Sequence, residues 1–170
     1  MQERLARRLQ AGSADNAKAC WLAVQADQGS YLLPLAQAGE IFPYSPPHPV
    51  PYTQRWFLGV AHLRGGLWGA VDLAAFVAGV VQEEQSAHRP EATEEARLVT
   101  FHTHLELNGA LRVDRLAGLR GPEDFSASVP PPPGAPAWLA HRYSDAQGRA
   151  WQALCLASLA SEPRFLSLAE

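Results

Sequence analysis

The residues best suited to chemistry lie in one stretch of alternating polarity, from Leu98 to Leu107. If this stretch is a strand, alternation places His102, His104 and Glu106 on one face. Two imidazoles and a carboxylate can ligate a first-row metal ion. Strand neighbours on one face are about 7 Å apart, so a site would need further convergent ligands. The candidates for that role are His141 and Asp114. A metal-dependent enzyme on a β-barrel is therefore the alternative hypothesis, while a solvated polar face without a metal is the expectation.

Motifs for the other common chemistries are missing from the sequence. It contains no Gly-x-Ser-x-Gly nucleophile elbow, no Cys-x-x-Cys pair and no Gly-x-x-x-x-Gly-Lys phosphate loop. The two cysteines, Cys20 and Cys155, stand far apart in apolar contexts, and we expect both to be buried free thiols. The sequence thus predicts no catalytic residues and no cofactor, which favours a protein that is not an enzyme.

The composition is that of a folded domain. Of 170 residues, 47% are hydrophobic and 18% are charged, which excludes a disordered chain. The net charge of −3 argues against a nucleic-acid-binding surface. An oligonucleotide-binding barrel would also need more than Trp56 beside Arg55. No apolar run reaches the ~20 residues of a membrane-spanning helix. We expect a cytoplasmic protein in which residues 1–16 form a short helix and a linker.

The stretch from Leu58 to Asp72 must position any site that the chain builds. Its two apolar runs flank Gly65 and Gly66, which we predict to be the two-residue loop of a β-hairpin. Glycine reaches the positive φ angles that such a loop needs, and Gly59 permits close strand approach. The strongest charge of this hairpin is Arg64, at its turn.

A short helix is predicted to follow the hairpin. Asp72 is an N-cap residue type, residues 73–78 are apolar, and Gly79 marks the end. Farther along the chain, Asn108-Gly109 is a strong hairpin signal, which we expect to join strands over residues 98–107 and 110–116. With further short strands near both ends, the pattern predicts a β-barrel or β-sandwich.

Three groups of residues follow a pattern that one protein family shares. They are Gly59-Val60-x-x-Leu63-Arg64-Gly65 with Val71-Asp72-Leu73, Tyr31-Leu32-Leu33-Pro34-Leu35 with Gly39-Glu40-Ile41, and Val50-Pro51 with Trp56. In these residues the chain resembles CheW-like coupling adaptors, which link chemoreceptors to a histidine kinase. The resemblance covers roughly residues 19 to 166, most of the chain.

One branch of that family is the most similar. The turn Asp145-Ala146-Gln147-Gly148 and the closing Phe165-Leu166 resemble adaptors of the type IV pilus (twitching motility) system, the PilI-type branch. The chain departs from the family pattern at His62, where asparagine is commonest. It also departs in the helix after Asp72, which lacks the usual charged residues.

The resemblance implies a fold and a function. The fold would be mainly β, with two five-stranded SH3-like barrel lobes that share a core and carry short helices, over residues 17–168. The function would be non-enzymatic coupling of a chemoreceptor's cytoplasmic tip to the regulatory domain of a CheA-like kinase, with recruitment to membrane receptor arrays. A groove between the barrels would take the apolar face of a receptor helix.

The same resemblance implies which residues touch partners. Arg64 would be a partner contact, because a guanidinium offers five donors in a rigid plane; otherwise it is a solvated turn residue. Glu40 would belong to the same surface or pair with a local arginine. We expect Leu58, Val60 and His62 at or near the contact surfaces, whereas Gly59, Gly65, Gly66, Asp72 and Gly109 are expected to serve turns and caps.

Overall fold

A computed structural model describes residues 21–81 and 92–167 of the chain. The strands in these residues are β1 (Trp21–Ala26), β2 (Gly29–Pro34), β3 (Ala38–Pro43), β4 (Phe57–Leu63), β5 (Gly66–Asp72), β6 (Arg97–Phe101), β7 (Gly109–Val113), β8 (Arg115–Arg120), β9 (Phe125–Val129), β10 (Leu139–Asp145) and β11 (Ala150–Leu154). The helices are α1 (Leu73–Val81), α2 (Leu156–Ala160) and α3 (Pro163–Leu166), with 3₁₀ turns at Thr103–Leu105 and Pro122–Asp124. The predicted N-terminal helix and Cys20 lie outside the described residues.

One lobe is a five-stranded sheet in the order β3-β6-β7-β5-β4. Its two edge strands are connected through His48, which follows β3 and exchanges two backbone hydrogen bonds of 2.9 and 2.8 Å with Val60 of β4. This bridge curls the sheet toward closure, which removes much of its free edge. The interior is filled by small and branched side chains from four strands: Ala61, Leu63, Ala70, Leu98 and Ala110.

The other lobe is a six-stranded sheet in the order β8-β1-β2-β11-β10-β9. Its separate cluster is built on two tryptophans, Trp21 and Trp151, with Ala23, Leu32 and Ala153. Trp21 also makes an edge contact with Phe125 of β9, with ring centroids 5.9 Å apart. Because β1 and β9 are not neighbours in the sheet, this contact shows that the second sheet also curls around its own core.

A third and larger cluster joins the lobes. It contains residues of both sheets and of all three helices, and aromatic rings fill its centre. Phe76 of α1 contacts Trp56, Trp138 and Phe165 at centroid distances between 5.0 and 5.4 Å, within the range of favourable aromatic pairs. The prediction of a mainly β chain with two lobes around a shared core is confirmed, although one sheet has six strands rather than five.

The hairpin predicted around Gly65 and Gly66 forms, and its turn lies one residue earlier than predicted. β4 ends at Leu63, β5 begins at Gly66, and these two residues pair across the strands. The loop is therefore Arg64-Gly65, with φ of 48° and 74°, the positive pair of a type I′ turn. Gly66 is a strand residue, so its predicted place in the loop is wrong.

The helix after the hairpin is longer than the sequence indicated. The backbone N–H of Ala75 donates to Asp72 Oδ1 at 3.2 Å, which is the capping bond expected of an N-cap aspartate. The helix then continues through Gly79 to Val81, so the predicted end at Gly79 is wrong. Among the described residues no helix is long and apolar enough to cross a membrane.

The predicted long strand from Leu98 to Leu107 is also wrong. β6 ends at Phe101, and a 3₁₀ turn over Thr103–Leu105 follows, from which Leu105 packs against the shared core. Gly109 does not lie in a two-residue turn, because it belongs to β7 and pairs in parallel with Gly69 of β5. The alternation in this stretch reflects core packing from a loop, and its two histidines do not share a strand face.

Candidate partner-binding site

Arg64 and Glu40 form an ion pair at one end of the five-stranded lobe. Arg64 Nε lies 2.7 Å from Glu40 Oε2, and the side chains are 74% and 48% exposed. Arg64 stands at the end of β4 and Glu40 lies in β3, and these strands are opposite edges of the sheet. The curl of the sheet is what brings two residues 24 positions apart into contact, and it leaves both charges on the surface.

Glu40 is positioned by an irregularity in β3. The pairing of β3 with β6 shifts between Ala38 and Ile41, so Gly39 and Glu40 leave the regular register. The Glu40 backbone N–H donates to Thr100 Oγ1 at 2.7 Å, and this hydroxyl donates back to the Glu40 carbonyl at 3.3 Å. A Cβ at position 39 would lie 2.4 Å from the same hydroxyl. Gly39 and the buried Thr100 therefore fix the bulge that presents Glu40.

Arg64 is positioned by the hairpin turn. Its φ of 48° is unusual for a residue other than glycine, and such a conformation costs roughly 1–2 kcal/mol. The I′ geometry matches the right-handed twist of the strands, and the Arg64 side chain at this turn is 74% exposed. The sequence thus places an arginine where a glycine or asparagine would be less strained, as is common for residues that serve recognition.

A surface cavity of about 280 Å³ lies beside the ion pair. Its lining combines the two charged residues with apolar and polar groups of the same lobe: Ala38, Gly39, Glu40, Phe42, Leu63, Arg64, Trp68, Thr100, Phe101, His102 and Thr103. A charged rim around a partly apolar floor is a suitable shape for one or two side chains of a protein partner.

The other predicted contact residues are placed differently. Along β4, Ala61 and Leu63 are buried whereas His62 is exposed, so His62 lies on the outer face of the strand. Val60 is half-buried and bonded to the loop at His48. Leu58 packs against the interior cluster of the lobe. The structure therefore brings together Arg64 and Glu40, leaves His62 exposed on β4, and gives Leu58 a core role.

Groups that could bind a metal do not converge. His102 and His104 face each other across the 3₁₀ turn, but His141 lies on β10 of the other lobe and Asp114 accepts a bond from the Asp27 backbone. In the described part of the chain no group of three or more His, Cys, Asp or Glu residues could hold a metal ion. The strand geometry on which the metal hypothesis depended is also absent.

Gln37 is a site residue that sequence reasoning missed. Its carbonyl accepts the His102 backbone N–H at 2.8 Å. Its side-chain Oε1 accepts the N–H groups of Leu156 and Ala157, at 2.7 and 3.2 Å, which are the first residues of α2. A glutamine in a turn carries no recognisable signal for a contact 119 residues away, so only the three-dimensional structure reveals it.

A second and larger depression runs along the six-stranded lobe beside α1. Its volume is about 920 Å³, and its lining includes Val77 of α1, residues of the β1–β2 turn and the proline run at Pro130–Pro132. Arg142 and Arg149 stand at its border. This depression therefore has about three times the volume of the cavity at Arg64.

Comparison with known proteins now identifies the fold. The family model of the CheW-like domain matches residues 21–163. The chain belongs to the CheW-like domain family. Among solved structures, the scaffolding protein CheW from Thermoanaerobacter tengcongensis is similar with a TM-score of 0.63 at 14% sequence identity, covering 81% of this chain and 89% of that one. No curated protein sequence is significantly similar.

Membership in the CheW-like family covers both lobes. The matched range begins at the first residue of β1 and ends at the first residue of α3. Five aromatic residues that the sequence scatters between positions 56 and 165 meet in the shared core of this domain: Trp56, Phe76, Phe101, Trp138 and Phe165.

Proposed function

We propose that this protein is a non-enzymatic coupling adaptor that joins the cytoplasmic tip of a chemoreceptor to the regulatory domain of a CheA-like histidine kinase. Membership in the CheW-like family supports a chemotaxis scaffold, and the two lobes offer separate surfaces for two partners. Such an adaptor works in the cytoplasm and is recruited to receptor arrays at the membrane. It acts by binding two partners at once, which holds them at a fixed spacing.

The exposed ion pair between Arg64 and Glu40 carries this proposal. The contact at Nε occupies one edge of the guanidinium, and the 74% exposure of the side chain leaves most of its donors in solvent. A partner carboxylate or carbonyl can take these donors without desolvating a buried charge, and the pair keeps the arginine oriented beforehand. An exposed pair of this kind adds only about 0–1 kcal/mol to stability, so its value lies in recognition.

Charge reversal tests the contact. We expect Arg64→Glu to weaken binding to a purified kinase regulatory domain or receptor-tip fragment by at least about tenfold, as for an interface hot spot. Isothermal titration calorimetry measures the affinity. Arg115→Glu is the matched control, because Arg115 is exposed on β8 of the other lobe and undergoes the same change of charge. Equal affinity of the two variants would remove Arg64 from the mechanism.

A double charge swap separates two roles of the same arginine. Arg64→Glu combined with Glu40→Arg restores the ion pair within the chain but reverses the charge offered to a partner. If Arg64 acts on the partner, affinity stays low in the double variant. Recovery of wild-type affinity would instead show that the pair serves only to hold the hairpin against β3.

We further propose that the pathway is that of the type IV pilus. The support is the Asp145–Gly148 turn, which is built as a tight loop by two backbone bonds to Asp145 Oδ1, together with Phe165, which seals the shared core. Deletion of the gene should abolish twitching on a surface and leave swimming intact. Loss of swimming with normal twitching would assign the adaptor to the flagellar pathway instead.

A further inference from the structure

His102 uses its ring to cap the 3₁₀ turn that follows it. Its backbone is extended, with φ −60° and ψ 144°, and its Nδ1 accepts a hydrogen bond of 3.1 Å from the backbone N–H of His104. The Nδ1 atom of the His104 ring faces the same nitrogen, and the two rings are 4.2 Å apart between centroids. One nitrogen of His102 therefore meets two groups of the residue two positions on.

The backbone contact indicates where a neutral His102 ring carries its hydrogen. A ring nitrogen that accepts a backbone N–H carries no proton, so the hydrogen of a neutral His102 is on Nε2. The facing Nδ1 of His104 must then be the donor. If a proton is added to Nδ1 of His102, that atom can no longer accept the His104 backbone N–H, and it keeps its contact with the His104 ring only if that ring carries its own hydrogen on Nε2. Protonation and the cap are therefore mutually exclusive.

We propose that His102 is a proton-sensitive cap that regulates binding at the Arg64–Glu40 site. The inference rests on the proposed function, because it concerns the same cavity: His102 and Thr103 line it together with the ion pair. When the ring is neutral, the turn is capped and the cavity wall is fixed. When the ring gains a proton, the turn loses its cap and the wall relaxes. Imidazole is the side chain that ordinarily changes charge between about pH 5 and 8.

The surrounding charges do not cancel this effect. His104 is in contact with the ring, Glu40 from β3 and Arg64 from the β4–β5 hairpin share the cavity lining with His102, and Glu106 follows at the exposed end of its own turn. Glu40 is already paired with Arg64. A protonated His102 would add a second positive charge to the cavity lining that holds the pair, which changes the electrostatics of the binding site further.

Nuclear magnetic resonance of the histidine rings tests the cap directly. Two-dimensional spectra correlating ring nitrogens and carbon-bound protons at pH 8 should show His102 with its hydrogen on Nε2 and His104 with its hydrogen on Nδ1. The protection factor of the His104 amide should fall as His102 gains its proton. The opposite tautomer of His102, or unchanged protection of that amide between pH 8 and pH 5.5, would overturn the proposal.

Binding measurements test the regulation. The readout is the ratio of dissociation constants at pH 5.5 and pH 8 for a purified kinase regulatory domain or receptor-tip fragment. We expect a weakening of up to about fivefold at pH 5.5, the effect of losing one N-cap bond. In His102→Asn the ratio should fall to about one, because an asparagine oxygen caps a turn at the same spacing without titrating.

The matched control is His141→Asn, since His141 is exposed on β10 of the other lobe. This variant should keep the wild-type ratio. If His102→Asn keeps that ratio too while Arg64→Glu still weakens binding, the proton-sensitive cap is wrong and the adaptor function stands. If the wild-type protein binds neither partner at either pH, the regulation and the proposed function fail together.

Discussion

The two lobes hold surface charge in opposite ways. In the five-stranded lobe, Arg64 and Glu40 depend on one exposed contact with each other. In the six-stranded lobe, the Asp145 carboxylate accepts bonds from Trp151 Nε1 at 3.0 Å and from two backbone N–H groups of its turn. The Trp151 bond, followed by these backbone bonds and the nearby Arg149 charge, lowers the pKa of Asp145. A charge with several fixed donors builds a turn, whereas a charge with one exposed partner remains open to another molecule.

The interiors of the two lobes also differ in the residues that fill them. Two tryptophans anchor the six-stranded lobe, while alanines and leucines fill the five-stranded one. Large rings at the centre of a small barrel concentrate the stability of the lobe in few residues. In the five-stranded lobe, stability depends instead on the close approach of two backbone segments, as at Gly59. The predictions below test whether the interiors and the surface charges of the two lobes differ in this way.

The largest effect is expected from Trp151→Ala. The side chain is almost completely buried, and its loss removes both the core ring and a donor to Asp145. We expect the free energy of unfolding to fall by about 3–5 kcal/mol, measured by urea denaturation followed by circular dichroism. Trp151→Phe, which keeps an aromatic ring but loses the donor and part of the volume, should cost clearly less. A loss below about 1 kcal/mol for the alanine variant would contradict the anchoring role.

A smaller loss of stability is expected from Gly59→Ala in the five-stranded lobe. Gly59 has φ of 132°, and a Cβ there would lie 2.1 Å from the carbonyl oxygen of His48. The bridge that closes this sheet must therefore shift, at a cost of roughly 2–3 kcal/mol. Gly65→Ala is the control, because its φ is also positive while nothing lies within 4 Å of the added atom. It should cost about 1 kcal/mol, and equal losses would refute the closure argument.

The smallest effects are expected from substitutions of the carboxylates of Asp145 and Glu40. Because the pKa of Asp145 is lower in the folded chain than in the unfolded one, its contribution is complete above the ordinary value of about 3.9 and is lost as the pH falls through the folded value. Asp145→Asn should lower the melting temperature at pH 7 and remove this part of the acid dependence. Glu40→Gln should change stability by only about 0–1 kcal/mol. Melting curves between pH 3 and 7 provide the measurement, and identical profiles for both variants would end the contrast.

Much of the fold could be predicted from local patterns. The hairpin around Gly65 and the capping aspartate at position 72 depend on residues within a few positions of each other, and both elements form. The turn was misplaced by one residue because Arg64 adopts a left-handed conformation that sequence statistics assign to glycine.

Elements fixed by distant contacts could not be predicted. Asn108-Gly109 is a strong hairpin signal, but Gly109 pairs with Gly69 and the Asn108 carbonyl accepts the Gly69 N–H at 2.8 Å. This parallel pairing takes precedence over the local turn preference. Likewise, the meeting of Glu40 with Arg64 results from the curl of a whole sheet, which no short motif encodes. The family resemblance therefore predicts which residues belong to the candidate site. It does not predict that Arg64 and Glu40 are in contact.

The crossover at Gln37 has a mechanical consequence. This residue lies between β2 of one sheet and β3 of the other, and it grips both the backbone of His102 and the leading edge of α2. A displacement of the cavity wall at His102 is therefore expected to be transmitted through the single side chain of Gln37 to α2. If partners bound to the two lobes exert force on the adaptor, we expect the lobes to move as one rigid unit rather than independently.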